Sequence, residues 1–341
     1  MKFGPIPLDQ AQGKILGHNI AGPDGRRLFR KGKPLTAEDI QRLRRLGRAS
    51  VYVAEVEPGD VDENTAAARL AKAVMGDGLR LSGPSNGRAN LFATYPGVLR
   101  VDAARLARMN GRPGITLATL VGHSAVRRGK MVATVKIMPY AVPEDHVSQL
   151  EKVAVQDGLV ISVSPFRYQQ AGLILSGSPS ARERIVHSFE SALQQRLAAL
   201  DAAIARVDFM PLEDEQGEVE LAKIIRQHLD DGIELIILAG ETAIMDRYDL
   251  APRAVEQAGG EVTCYGVPVD PGNLLMLAYH GPVPIMGAPG CARSPKTNIV
   301  DLLLPRLLAG DRLDQTAMIH MGHGGLLEDV PERPMPRSQL T

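Results

Sequence analysis

Unbroken apolar runs alternate with amphipathic segments along the second half of the chain. The run AGLILSG (171–177) has no polar alternation, which is typical of a strand buried on both faces of a sheet. In the next segment, apolar residues recur at every fourth position and predict a helix with one core-facing stripe. Ser180 and Glu183 have the spacing of a capping box at the start of that helix. The residues of the stripe are Ile185, Phe189, Leu193 and Leu197.

The same alternation continues to residue 309. Apolar runs predict strands, periodic segments predict helices, and strands that alternate with helices form largely parallel sheets. We therefore expect an α/β fold whose C-terminal part is a doubly wound, largely parallel sheet with helices on both faces. Ligands of such sheets bind at the carboxyl ends of the strands, near a switch in strand order. The later predicted strands are 204–212, 233–240, 261–269, 273–279 and 283–288, and the later predicted helices are 218–232, 250–260 and 296–309.

A different pattern in the first half of the chain predicts a β-rich α+β region. Thr36 and Asp39 are placed to begin a short helix that Gly47 ends. Residues 129–142 alternate apolar and polar side chains, as a half-buried strand does. Residues 331–341 are rich in proline and polar side chains and are expected to be disordered. We predict four parts, namely a small α+β unit (1–60), a β-rich middle region (61–165), the α/β domain (166–315) and a C-terminal extension with the tail (316–341).

Composition and charge argue against several classes of protein function. The 341 residues are 44% apolar and 23% charged, as in ordinary globular proteins, and Lys plus Arg (39) equals Asp plus Glu (39). Without a basic excess, no nucleic-acid partner is expected. No run approaches about 18 apolar residues and the N-terminus lacks an apolar signal core, so no membrane partner is expected. The two cysteines, Cys264 and Cys291, argue against a disulfide framework and predict a reducing, cytoplasmic location.

Three predicted strand ends carry turns suited to an anionic ligand. Their glycines let backbone N–H groups approach a ligand, and a helix that begins behind such a turn favours negative charge. The first turn alone is weak evidence, because a tight turn followed by a serine cap has the same residues. The turns are SGSPS (176–180), AGETAIMDRYD (239–249) and GAPGCARSP (287–295).

The second turn holds more carboxylates than capping requires. Asp246 and Asp249 stand just before a predicted helix, and Glu241 precedes them. A carboxylate cluster at the ligand edge of a sheet can hold Mg²⁺, which prefers oxygen ligands. The alternative is one helix cap and one solvated acid, and residue type alone does not decide between the two.

The third turn combines a thiol, two cations and a hydroxyl. Arg293 and Lys296 could make charge-assisted hydrogen bonds to a phosphate, with Ser294 and the helix N-terminus as further donors. A helix that starts at this turn would lower the pKa of the Cys291 thiol, whereas Cys264 lies in a predicted strand and is expected to be inert. The alternative is that Cys291 is a small buried residue, as free cysteines usually are.

Residues 239–295 resemble the molybdopterin-binding domain shared by the molybdopterin molybdotransferases, gephyrin and the molybdopterin adenylyltransferases. That family has a Gly-Gly-x-Ser-x-Gly-Asp-x-Asp turn and a helix that ends in Gly-Gly. A Pro-Gly-Lys segment and a Gly-x-Pro-Gly-Asn-Pro-x-Ser turn follow. The matching residues here, in the same order, are Gly240, Asp246, Asp249, Gly259, Gly260, Pro271, Gly272, Gly287, Pro289, Gly290 and Ser294.

Several positions depart from the family pattern. Glu241 replaces the second glycine of the first turn, Ala243 replaces its serine, and Asn273 replaces the lysine after Pro-Gly. The Asn-Pro of the last turn is Cys291-Ala292, and the Gly-Asp-Glu of the molybdotransferases is Gly177-Ser178-Pro179. The resemblance therefore implies a retained pterin site, with the changes concentrated at positions that handle molybdate or metal.

The N-terminal half resembles a narrower group. Residues 26–47, 87–93, 115–120, 129–143 and 269–277 are similar to the molybdopterin-binding half of certain two-part proteins. The other half of those proteins is a nucleotidyltransferase of the molybdenum cofactor cytidylyltransferase type. This resemblance spans nearly the whole chain and implies a molybdopterin-binding protein of that kind.

Together the resemblances imply a protein of molybdenum cofactor biosynthesis. It would hold the pterin phosphate and dithiolene of molybdopterin, or of the finished molybdenum cofactor, at the strand-end turns for metal insertion or hand-over. Asp246 and Asp249 are the predicted catalytic and Mg²⁺-binding residues, and a homo-oligomer is expected from the family. The predicted binding residues are Gly177, Ser178, Gly240, Glu241, Thr242, Pro271, Gly272, Gly287, Pro289, Gly290, Cys291, Arg293, Ser294 and Lys296.

Three activities stay open at this point. As an enzyme, the protein would insert molybdate into molybdopterin in a Mg²⁺-dependent, transferase-like reaction. As a binding module, it would pass the cofactor to a molybdenum cofactor nucleotidyltransferase or to a molybdoenzyme. The same fold family includes competence-damage-type proteins, so a pyrophosphatase or nucleotide-processing enzyme is the alternative.

Overall fold

The computed structural model describes residues 1–211 and 217–327, and these form two compact units. The first unit comprises Met1–Thr94, Leu99–Gly122 and Arg128–Val163. The second comprises Tyr95–Val98, His123–Arg127 and the chain from Ser164 onward. The four-part division expected from the sequence is finer than this one and stays a prediction. The predicted disordered tail, 331–341, lies outside the described residues.

The chain begins with a small sheet and one helix. The elements are β1 (Lys2–Pro7), β2 (Ile15–Leu16), β3 (Ile20–Ala21), β4 (Arg27–Phe29), α1 (Ala37–Arg45) and β5 (Ser50–Glu55). The sheet has the order β1-β5-β2, and β3 pairs with β4. Thr36 caps α1 as predicted, because its hydroxyl accepts from the Asp39 N–H over 3.2 Å. Asp39 completes the capping box by accepting from the Thr36 N–H over 3.0 Å.

The middle of the chain is rich in strands, as its alternating pattern predicts. The elements are β6 (Asp60–Asp62), α2 (Glu63–Val74), β7 (Leu79–Leu81), β8 (Arg88–Ala93), β9 (Gly97–Val101), α3 (Ala103–Asn110), β10 (Ile115–Thr119), β11 (Ala125–Val126), β12 (Met131–Ile137), β13 (Ala141–Pro143), α4 (Glu144–Ala154) and β14 (Ile161–Pro165). The sheets have the orders β10-β12-β8-β7, β11-β9-β14 and β13-β6. In β12, buried Val135 and Ile137 alternate with half-buried Thr134 and Lys136.

Strands and helices alternate through the second unit. The elements are β15 (Gln170–Gly177), α5 (Arg182–Ala198), β16 (Ala203–Pro211), α6 (Gly217–Asp230), β17 (Leu235–Gly240), α7 (Leu250–Gln257), β18 (Glu261–Tyr265), β19 (Met276–His280), β20 (Val283–Gly287), α8 (Ile299–Leu308) and α9 (Gln315–Ile319). The six-stranded sheet has the order β16-β15-β17-β20-β19-β18. β19 is antiparallel to both of its neighbours, and the other pairs are parallel. The predicted α/β class with a largely parallel sheet is therefore confirmed.

The two faces of this sheet have separate apolar cores. Leu173 and Leu175 of β15 pack on the face covered by α5 and α8, whereas Ile174 packs on the face covered by α6 and α7. Burial of each such side chain contributes roughly 1.5–3 kcal/mol, which fixes the register of the strand. The stripe predicted for α5 is buried, and it consists of Ile185, Phe189, Leu193 and Leu197.

The start of α5 differs from the prediction. A short 3-10 turn, Pro179–Ala181, precedes the helix, and no side chain caps it. The Ser180 hydroxyl instead lies 3.4 Å from the Ser178 hydroxyl. The predicted capping box of Ser180 and Glu183 is therefore wrong. Among residues 1–211 and 217–327, none of the helices combines the length and the apolar character needed to span a membrane.

Candidate functional site

The three predicted turns follow strands that are neighbours in the sheet. β15, β17 and β20 pair in parallel, with Ser176 opposite Gly240 and Leu238 opposite Gly287. The carboxyl ends of these strands therefore lie side by side. The chain passes from β15 to β16 on one side and then to β17 on the other, so the strand order switches between β15 and β17. Such a switch opens a crevice at the carboxyl ends, where open α/β sheets bind ligands.

Glu241 joins the end of β17 to the end of β15. Its N–H donates to the Ser176 carbonyl over 2.8 Å, and its Oε2 accepts from both the N–H and the hydroxyl of Ser178, each over 2.8 Å. The Arg184 guanidinium lies 3.5 Å from Glu241 Oε1. The hydrogen bonds from Ser178 hold the pKa of Glu241 below its ordinary value. Glu241 thus occupies the donors that the turn after β15 offers to an anion.

Asp246 and Asp249 both accept hydrogen bonds from backbone N–H groups of their own turn. Asp246 Oδ1 accepts from the Tyr248 N–H over 2.8 Å. The Asp249 carboxylate caps α7 through the Leu250 N–H and also accepts from the Met245 N–H, each over 2.9 Å. The capping role that the sequence left open for one of these acids therefore belongs to Asp249.

The carboxylates of this turn hydrogen-bond to different partners. In the part of the chain that the structure describes, no three His, Cys, Asp or Glu side chains are grouped to hold a metal ion. Glu241 faces Ser178 and Arg184, whereas Asp246 and Asp249 accept from N–H groups of their own turn. The metal and catalytic roles expected of both aspartates stay predictions.

A cleft lies beside the acidic turn on the α6 and α7 side of the sheet. Its polar groups include the side chains of Ser176, Thr242 and Asp249, together with the backbone of Gly240. Its walls are apolar and include Ile174, Leu221, Leu238 and Leu250. Small-molecule sites combine apolar walls with a few placed polar groups, and the lining of this cleft has that composition.

The third turn is a short 3-10 helix and not the start of α8. After residues 290–293, Ser294 is extended, with φ −86° and ψ 142°. Pro295 favours this conformation, because a residue that precedes proline is disfavoured in the helical region. α8 begins at Ile299, with Asn298 as its cap residue. The predicted helix start at 296, and with it the helix N-terminus directly behind the turn, is therefore wrong.

Burial sets the acidity of the Cys291 thiol. The side chain is half-buried, and desolvation raises its pKa above the ordinary value, although Arg196 acts in the opposite direction. The lowered pKa expected from a helix N-terminus is therefore wrong. Cys264 is buried in β18, and desolvation raises its pKa as well.

Two exposed cations belong to the third turn or directly follow it. Arg293 and Lys296 are exposed, and within the described residues neither side chain makes a hydrogen bond or an ion pair. The Ser294 hydroxyl accepts from the Lys296 N–H over 3.2 Å, which leaves its own hydrogen free to donate. Unpaired cations next to a half-buried thiol can attract an anionic ligand through charge-assisted hydrogen bonds.

The Pro271-Gly272 segment packs against the start of α8. The Ile299 N–H donates to the Pro271 carbonyl over 3.1 Å. Gly272 has a φ of +134°, and a Cβ there would lie 2.5 Å from Ile299 Cβ. Only glycine fits this position without strain. These two predicted residues therefore contact the first residue of α8, which follows the third turn in the chain.

Other residues that hold the turns in place were not found from the sequence. The Tyr265 hydroxyl donates to the Ile244 carbonyl over 3.1 Å and so steadies the acidic turn. Asn298, at 1% exposure, donates to two carbonyls of the third turn. Its capping-box partner Asp301 stands three residues later, and that spacing is a signal in the sequence. Arg196 also holds the third turn, because its guanidinium donates to the Ala292 and Ser294 carbonyls. Tyr265 and Arg196 act on segments far from them in the chain and carry no local signal.

Comparison with known proteins gives a short match at the N-terminus. Residues 5–55 match the model of a domain of unknown function (DUF8806). This match covers the segment from β1 to β5 and none of the three turns. No curated protein matches the chain.

Solved structures similar to the chain include three proteins of molybdenum cofactor or molybdopterin biosynthesis. A molybdenum cofactor biosynthesis protein from Pyrococcus furiosus is 11% identical with a TM-score of 0.24, and the alignment covers 94% of this chain but 65% of that protein. The molybdopterin biosynthesis enzyme MoaB from Thermus thermophilus is 18% identical with a TM-score of 0.30, and the alignment covers 42% of this chain and 98% of MoaB. The molybdopterin biosynthesis protein MoeA from Pyrococcus horikoshii is 12% identical with a TM-score of 0.27, and the alignment covers 94% of this chain and 75% of MoeA.

Proposed function

We propose that this protein binds molybdopterin or the molybdenum cofactor and acts in molybdenum cofactor biosynthesis. The observation that carries the proposal is the convergence of the motif-bearing turns. The turns after β15, β17 and β20 are distant in the chain, yet the three strands are adjacent and parallel. This edge of an α/β sheet is where ligands bind.

Different groups would hold the three parts of the ligand. Arg293 and Lys296 bind the phosphate, because both are exposed cations without a partner among the described residues. The cleft that Thr242 and Asp249 line takes the pterin ring, whose polar edge their oxygen atoms can hydrogen-bond. Cys291 is the soft group next to the cations in the chain, and its sulfur would contact the dithiolene or its metal.

Because of Glu241, the phosphate of the ligand would bind at the third turn and not at the end of β15. Its carboxylate already accepts from both donors of Ser178, so a second anion at the end of β15 would be repelled. Arg293 and Lys296 carry no such competitor among the described residues. In this proposal Gly177 and Ser178 act through Glu241, and the phosphate binds at the third turn.

Two roles are compatible with this binding site. The protein either assists insertion of molybdate or holds the cofactor and hands it to a nucleotidyltransferase or a molybdoenzyme. The replacements at Glu241, Ala243 and Asn273 lie where the resembled family handles molybdate or metal, and they favour hand-over. Complementation of a bacterial strain that lacks its molybdotransferase separates the two. Restored molybdoenzyme activity would show insertion, and its absence in a strain that expresses the folded protein would favour hand-over.

The binding proposal is tested with anaerobically prepared molybdopterin and its molybdenum form. The wild-type protein should retain at least one of them through gel filtration, and the retained pterin is quantified after oxidation by its fluorescence. The double variant Arg293→Gln/Lys296→Gln should lose most of this retention, because it removes both phosphate-binding cations. The matched control is Arg44→Gln/Lys130→Gln, which removes two exposed cations outside the site.

Three outcomes decide the proposal. Retention by the wild type and the control but not by the double variant supports it. A wild-type protein that retains neither form refutes it. Release of AMP from ADP-ribose, together with no pterin retention, would instead support the nucleotide-processing alternative.

A further inference from the structure

Arg196 connects α5 to the loop between β20 and α8. Its Nη2 donates to the carbonyl oxygens of Ser294 over 2.7 Å and Lys296 over 3.0 Å. Its Nη1 donates to the Ala292 carbonyl over 3.0 Å, and its Nε donates to Asp301 Oδ1 over 2.9 Å. One guanidinium therefore binds three carbonyls of the loop and a carboxylate at the start of α8.

The loop depends on side chains for its conformation. Residues 294–298 form no helix or strand, and a buried carbonyl without a partner costs free energy comparable to a lost hydrogen bond. Besides Arg196, the side chain of Asn298 donates to the Cys291 carbonyl over 3.1 Å and the Lys296 carbonyl over 3.0 Å. The Asn298 N–H in turn donates to Asp301 Oδ2 over 2.9 Å. The carboxylate that anchors Arg196 thus also fixes the end of the loop.

We propose that Arg196 is a positioning residue that fixes residues 290–298, so that Cys291, Arg293 and Lys296 face one ligand. The assignment of that ligand rests on the proposed function. Arg196 is 9% exposed, and its Nε, Nη1 and Nη2 all donate within the fold, so it acts through the loop and not by contact with the ligand. Lysine cannot replace it, because an ammonium is a point charge and lacks the planar fork of a guanidinium.

The test uses the full-length Arg196→Lys variant and iodoacetamide as a probe of the cysteines. Loss of the fork lets the loop open more often, so alkylation of Cys291 should speed up about tenfold. Cys264 is buried and serves as an internal reference that should stay slow. Arg182→Lys is the matched control, because Arg182 lies exposed on the same helix over the Phe209 ring. It should leave both alkylation rates unchanged.

Binding of molybdopterin under anaerobic conditions is measured on the same variants. Affinity should fall about tenfold in Arg196→Lys and stay unchanged in Arg182→Lys. An unchanged Cys291 alkylation rate in Arg196→Lys overturns the proposal, and so does unchanged affinity beside faster alkylation. If the wild type binds no molybdopterin, the proposed function fails, whereas the alkylation rates still decide whether Arg196 fixes the loop.

A second variant tests the proposal if Arg196→Lys does not fold. If Arg196→Lys exposes Cys264 as well, Asp301→Asn takes its place, since it removes the charged partner of Arg196 but keeps an oxygen for the Asn298 N–H. Faster alkylation of Cys291 alone in that variant supports the proposal. Faster alkylation of both cysteines would show that Arg196 supports the whole unit and would overturn a role specific to the loop.

Discussion

The two cysteine thiols differ in exposure, and the pKa of both is raised. Cys264 is buried in β18, whereas Cys291 is half-buried in the third turn. Desolvation raises the pKa of both thiols, so neither is held as a thiolate near neutral pH. Access to the reagent, and not thiolate stabilisation, therefore sets their relative reactivity.

We expect Cys291 to be alkylated faster than Cys264 near neutral pH, and bound cofactor to slow the reaction of Cys291. Mass spectrometry of the two cysteine peptides over time measures both rates. Cys291→Ser keeps the size and a hydrogen-bonding group but removes the soft ligand. If sulfur contacts the dithiolene or its metal, this variant should lose the molybdenum form and still bind the metal-free pterin. Equal retention of both forms would show that the thiol only packs.

His228 makes stability depend on pH. The residue is fully buried, its Nε2 lies 2.8 Å from Asp208 Oδ2, and its Nδ1 has no hydrogen-bond partner among the described residues. Desolvation lowers the pKa of the imidazole below its ordinary value of 6.5, although Asp208 opposes the shift. The unfolded chain therefore takes up a proton on this histidine at a higher pH than the folded chain does.

The free energy of unfolding should accordingly fall as the pH drops below 6.5 toward the lowered pKa of His228. Urea unfolding at a series of pH values measures this slope. His228→Gln keeps a donor for Asp208 but cannot take up a proton, so it should flatten the slope. His187→Gln, at an exposed position on α5, is the control. An equally steep slope in His228→Gln would assign the pH dependence to other groups.

At the scale of single elements, the acidic turn is organised by hydrogen bonds from its own backbone N–H groups and from the first N–H of α7. Asp249 accepts two backbone N–H groups with two different oxygens, whereas Asp246 accepts one. An asparagine has one side-chain oxygen and can replace an aspartate that uses only one. The two aspartates should therefore respond differently to the same substitution.

Asp246→Asn should leave the free energy of unfolding nearly unchanged, and Asp249→Asn should lower it by about 0.5–1.5 kcal/mol, the value of one hydrogen bond. Asp249→Ala removes the cap and should cost about 0.5–2 kcal/mol. Chemical denaturation of the three variants gives these values. Cofactor retention and complementation are measured in parallel, and wild-type values of both in the two asparagine variants would exclude the predicted metal role of this pair.

Element types could be predicted where the deciding signal is local. The stripe on α5 and the Thr36 cap of α1 are of this kind. The spacing of Ser180 and Glu183 is not sufficient, because a 3-10 turn precedes α5 and no side chain caps it. The predicted start of α8 at residue 296 is too early. Pro295 and the Asn298–Asp301 spacing are local signals against a helix that begins there. The hydrogen bonds that hold the turns could not be predicted, because they come from side chains that are distant in the chain.

At the scale of the whole molecule, the candidate site is a product of strand order. The turns of Ser178, Glu241 and Cys291 are far apart in the chain, and the parallel pairing of β15, β17 and β20 brings their strand ends together. The alternation of strands and helices predicts this edge as the ligand position. It does not predict that Glu241 accepts from Ser178 or that Arg196 holds the third turn, because those contacts depend on which strands are neighbours.

The edge position of β16 has a consequence for the exchange of backbone amides with deuterium. Among the described strands, β15 has a partner on each side, whereas β16 pairs with β15 alone. An amide exchanges when its segment opens, and opening an edge strand breaks a single ladder. In heavy water, peptides from residues 171–176 should therefore keep their hydrogens longer than peptides from residues 203–211. Cofactor that binds at the switch in strand order should slow exchange in peptides that contain residues 178 and 241–249, while the rate in 203–211 stays the same.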